Sequence, residues 1–136
     1  MYEVFDHTAD IGIRVQAARV DELFAEAARA LFSLIVANFD SVQALQEISV
    51  HLAAERLDEL LFDWLAELLY TSDVRRMVFA QFTPSVQGNQ LNATAKGEPI
   101  DPARHRLDRE IKAITYHGLK LEHDGQQWLA QVILDV

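Results

Sequence analysis

The chain has 136 residues, half of them apolar, with 21 acidic against 12 basic side chains and a net charge of -9. That suits one domain, residues 1–136, around one core, and the charge opposes a direct, tight grip on RNA or DNA. The absence of cysteine excludes disulfides, thiolate catalysis and cysteine-built zinc sites, and no apolar run approaches the ~20 residues of a membrane span.

No basic-then-apolar leader opens the chain, so the expected location is the cytoplasm. The acidity fits metal cations or a basic protein partner, and solubility alone also accounts for it.

In chain order, Tyr2–Phe5 and Ile13–Val15 read as short strands on either side of Asp6-His7-Thr8-Ala9-Asp10-Ile11-Gly12. That stretch reads as a polar, doubly acidic turn. Asp21 has the character of an N-cap, with Glu22 in the first turn. Phe24, Ala27, Ala28, Leu31, Leu34 and Ile35 then recur at helical spacing as far as Ala37. Ile48, Val50 and Leu52 alternate with Ser49, His51 and Ala53, a strand.

The second helix is predicted over Arg56–Tyr70, where Leu57, Leu60, Leu61, Trp64, Leu65, Leu68 and Leu69 form one broad apolar stripe. Its other side carries Glu59, Asp63 and Glu67 at i, i+4 spacing, either a solvated face or a partner surface. Val78–Val86 and Leu91–Gly97 form a hairpin across Gly88-Asn89. Asp101-Pro102 can start a short helical turn. Strand-like segments follow at Ile111–His117 and Leu119–Leu121, a tight turn at Asp124-Gly125, and a final strand from Trp128 onward. Two long helices and about seven strands predict an α+β sandwich of mainly antiparallel sheets.

The candidate chemistry rests on carboxylates. Asp10 stands in the opening turn, Asp135 is the penultimate residue, and Val136 offers an α-carboxylate. If the last strand lies near the first, these oxygen donors converge, and hard cations such as Ca2+ or Mg2+ take such donors. The alternative is that Asp6 and Asp10 only hydrogen-bond their own backbone. His7 and His117 are each open to a ligand, acid/base or structural role. Lys112 reaches a phosphate or a partner carboxylate only if its strand neighbours the opening turn. His51, His105 and His123 stand where nothing suggests chemistry. Arg104, Arg106, Arg109 and Lys112 concentrate basic charge, diluted by Asp108 and Glu110. No nucleophile elbow or phosphate-binding glycine loop is present, so no catalytic residues are assigned.

The strings HTADIGI at 7–13, LFDWLAELLY at 61–70, KAITYHGL at 112–119 and WLAQVILDV at 128–136 together resemble the archease family, in family order and over nearly the whole chain. The resemblance implies an accessory protein, not itself an enzyme, of the RtcB-type RNA ligase of tRNA splicing and RNA repair. It implies stimulation of that ligase's GTP-dependent guanylylation and turnover, with RNA met only through the ligase. It also implies a divalent metal, calcium first with Mg2+ or Mn2+ as alternatives, held by Asp10, Asp135 and Val136. Lys112 carries over as a residue needed for ligase activation. Asp6, His7 and His117 fall into supporting roles. The rival readings are a metal-dependent phosphoester hydrolase with Asp10, Asp135 and His7, and a general chaperone-like binding protein.

Overall fold

The computed structural model describes residues 1–7 and 9–136, except for the side chain of His7. The elements run β1 (Tyr2–His7), β2 (Asp10–Ala17), α1 (Val20–Ile35), a 3-10 turn at Phe39–Ser41, β3 (Gln46–Ala53), α2 (Leu57–Arg75), β4 (Met77–Gln87), β5 (Gln90–Pro99), β6 (Ala113–His123) and β7 (Trp128–Asp135). The strands form two antiparallel sheets, ordered β1-β2-β7-β6 and β3-β5-β4. This is the α+β sandwich expected from the sequence, with one addition: the helices lie between the sheets. α1 packs on β2 and β4, while α2 packs on β6 and β3 and touches α1.

That central placement explains the helical composition. A helix covered on one side needs one apolar stripe, whereas α1 buries Leu23, Phe24, Ala27, Ala28, Leu31 and Phe32 in contact with both layers. Small alanines let the backbone approach while the phenylalanines fill the gaps. Trp64 of α2 is fully buried and donates its indole N–H to the Phe24 carbonyl at 3.0 Å, so burial leaves no polar atom unpaired. Truncating it to alanine would cost about 3–5 kcal/mol. In the strands the period is two: Ile11, Ile13 and Val15 are buried, while Arg14 and Gln16 are exposed.

Two local expectations are corrected. α1 starts at Val20, and Arg19 at its N-cap makes no side-chain capping bond. Asp21 lies inside the first turn, where its carboxylate accepts the Val86 N–H at 2.8 Å and ties the helix start to the end of β4. α2 continues to Arg75, past the predicted Tyr70. It ends where Arg76 takes the left-handed conformation (φ 55°) and donates its N–H to the Ser72 carbonyl. No glycine stands there to mark the stop in the sequence. Among the described residues no helix is long and apolar enough to cross a membrane.

Candidate functional site at one end of the four-stranded sheet

β2 and β7 are central neighbours, with register pairs from Ala17–Trp128 to Ile11–Leu134. One step further, the same register sets Asp10 across from Asp135. Opposed residues of an antiparallel pair share a face, with Cβ atoms about 4.5–5.5 Å apart. Since Ile11 and Leu134 point into the helix layer, Asp10 and Asp135 point to the outer face. β6 completes this end of the sheet: Ala113 pairs with Asp135, and the Lys112 N–H donates to the Asp135 carbonyl at 2.8 Å. Asp135 and Lys112 are exposed and Asp10 is half-buried, while Val136 packs against the core.

The opening stretch is less of a turn than its composition implies. Both strands run into it and close on the pair His7–Asp10. Asp6 pairs with Ile11 and therefore stands on the opposite face from Asp10, so the register does not bring it to the carboxylate pair. The supporting role expected of His7 falls on a side chain outside the described residues, as does Thr8. Gly12 has a clear physical reason. It faces Phe5, and a Cβ there would lie 2.1 Å from the ring's Cζ. The Arg14 guanidinium covers the ring at 3.9 Å and pairs with Glu3 at 2.8 Å.

His117 lies in a large bulge of β6. Thr115 pairs with Ile133 and Lys120 with Gln131, so four residues of β6 oppose Val132 alone. Gly118 absorbs the bend at φ 68°. The Gln131 amide donates to the Gly118 carbonyl at 2.9 Å, and the Thr115 hydroxyl to the Ile133 carbonyl at 3.1 Å. Tyr116, at the start of the bulge and on the same side of β6 as Ile114, lies on Phe62 of α2, ring centroids 3.9 Å apart and nearly parallel.

A second polar cluster escaped the sequence reading. Glu98 and His105, each 3% exposed, meet under the 100–112 loop. Glu98 accepts the Gln43 N–H, pairs with Arg104 and contacts His105 Nε2 at 3.1 Å. The Asp101 N–H donates to His105 Nδ1 at 2.9 Å, which leaves Nε2 as the donor to Glu98. Burial pushes the Glu98 carboxyl up, but the Gln43 N–H, the imidazole and the Arg104 charge outweigh it and hold its pKa below the ordinary 4.5. His105 thus fastens the loop. Its only sequence cue was a histidine between Asp101-Pro102 and a strand, too common a setting to read. Arg104, counted with the basic concentration, is spent on this internal pair.

Among the described residues no three or more His, Asp or Glu side chains group as a metal site. The outer-face pair thus supplies, among the described residues, two side-chain carboxylates. Hard oxygen donors of this kind suit Ca2+ or Mg2+ better than zinc.

A family model described as the archease protein family matches residues 2–136. The chain is similar to the archease of Methanopyrus kandleri, 37% identical over 139 residues that cover 99% of each chain. It is similar to a Methanobacterium thermoautotrophicum protein solved in solution, with TM-score 0.81, 33% identity, and 99% of this chain and 98% of the other covered. It is also similar to the crystal structure of a Thermotoga maritima archease, described as a possible chaperone, with TM-score 0.66, 25% identity, and 100% and 98% covered. A family match over the whole described fold, with relatives of equal length, has one consequence: this chain belongs to the archease family.

Proposed function

We propose that this protein is an accessory activator of an RtcB-type RNA ligase, raising its GTP-dependent guanylylation and turnover through a divalent-cation site at Asp10, Asp135 and Val136. The observation that carries the reading is the β2–β7 register, which brings both ends of the chain to one face of one sheet. The bound cation, Ca2+ first, would supply positive charge for phosphate oxygens at the ligase's nucleotide site. Asp10 and Asp135 hold it as carboxylate ligands, and the α-carboxylate at Val136 adds a third oxygen donor. The Lys112 N–H fixes the Asp135 carbonyl between the two C-terminal ligands, and the exposed Lys112 ammonium is available to a phosphate or a partner carboxylate. The protein acts on the ligase in the cytoplasm and meets RNA only through it.

The test is a guanylylation assay of the cognate ligase with GTP, with and without this chain. Faster formation and turnover of the guanylylated ligase is expected, with a smaller gain for Lys112→Ala. No change in either sinks the reading. A short extension after Val136 converts the α-carboxylate to a peptide, so weaker Ca2+ binding by calorimetry is expected. Unchanged affinity removes Val136 from the ligand set. The description of the Thermotoga neighbour favours a second reading, a chaperone-like binding protein. Suppressed aggregation of an unrelated unfolded client, without any effect on guanylylation, would select it.

A further inference from the structure

We infer that the solvent face of α2, with Tyr116 laid against it, seats an arginine-bearing patch of the partner protein; this rests on the ligase reading above. Tyr116 is 62% exposed although one face of its ring stacks on Phe62. The other face is therefore open, an aromatic platform at the start of the bulge of β6. Along α2 from Phe62, at four-residue steps, come Ala66, Tyr70 and Val74, with Tyr70 63% and Val74 61% exposed. Beside this stripe runs the acidic row. Glu59 pairs with Arg56 at 3.2 Å, while Asp63 and Glu67 have no ion pair among the described residues.

An open π-face beside unspent carboxylates fits a planar cation. A guanidinium can lie on the ring and turn its N–H groups to a neighbouring carboxylate, which neither an acidic peptide nor a phosphate can do. A nucleobase would also stack, but its phosphates would meet Asp63 and Glu67 on a chain of net charge -9. Tyr116 lies three residues along β6 from Ala113, the partner of Asp135, a span of about 10 Å, but on the helix side of the sheet whose outer face carries Asp10 and Asp135.

The test measures binding of the cognate ligase to the full chain by calorimetry at low and moderate salt, with circular dichroism and Ca2+ affinity as controls. Tyr116→Ala should weaken binding roughly tenfold, while Tyr116→Phe, which keeps the ring, stays near wild type. The double change Asp63→Lys with Glu67→Lys should also weaken it roughly tenfold and flatten its salt dependence. Folded variants that bind with wild-type affinity overturn the inference and leave the ligase reading standing. A loss seen only for a single-stranded RNA oligonucleotide overturns it in favour of a nucleic-acid surface. A wild-type chain that does not bind the ligase removes both.

Discussion

The Glu98 cluster and the Asp10–Asp135 sheet end both gather carboxylates, to opposite ends. Glu98 is buried among an arginine, a histidine and a backbone N–H, so its charge is spent inside the molecule. Asp135 stands in solvent at a strand end, across from a half-buried Asp10, where two acids on one face repel each other. A satisfied buried carboxylate holds a loop down. Two acids on one outer face at a sheet end are, in the proposed function, a place for a cation to bind. Glu98, whose carboxyl is held below its ordinary value, is a structural carboxylate, so a depressed pKa here marks a fastened loop rather than a candidate cation site.

The largest expected effect is at the Asp10–Asp135 sheet end. Asp10→Ala or Asp135→Ala should abolish stimulation of ligase guanylylation while changing unfolding free energy by no more than about 0.5 kcal/mol in urea melts. A folded variant that stimulates fully would show that the acids share a face for no functional reason. Glu98→Gln should do the reverse, costing about 3 kcal/mol because Arg104 and the Gln43 N–H lose their anion, with Ca2+ affinity by calorimetry unchanged. Should Glu98→Gln weaken Ca2+ binding without loss of stability, the two regions have been assigned the wrong way round.

A smaller effect is expected between them. Gly12→Ala forces the Phe5 ring off the strand and uncovers Arg14, a cost of about 1–3 kcal/mol that a thermal melt would register. The smallest is the pH term. A carboxyl whose folded pKa is depressed contributes stability that is complete above its unfolded value, near 4.5 here, and lost as the pH falls through its lower folded value. Wild type should thus lose stability in that acid window more steeply than Glu98→Gln. Parallel curves would mean that Glu98 adds nothing to the pH dependence.

Local order was largely legible. Alternation placed β3, the β4–β5 hairpin and β7, and the leucine-rich stripe placed α2, because burial on one face writes a period into the chain. Side chains with work to do across layers were misread. Asp21 passes for a helix cap until β4 brings the Val86 N–H to it. His105 stands where nothing suggests a role until Glu98 arrives beneath its loop. The bulge of β6 after Thr115 was invisible for the same reason, since its shape is measured against β7.

By itself the sequence determined the element types, the α+β class and, through four motifs in order, the family, since each depends on residues close together in the chain. Tertiary structure alone decided that the helices lie between two sheets and that β7 returns to β2. It also decided that Asp10, rather than Asp6, shares a face with Asp135. The reason is register: strand pairing joins the two ends of the chain, and a shift of one residue would have sent either acid to the other side.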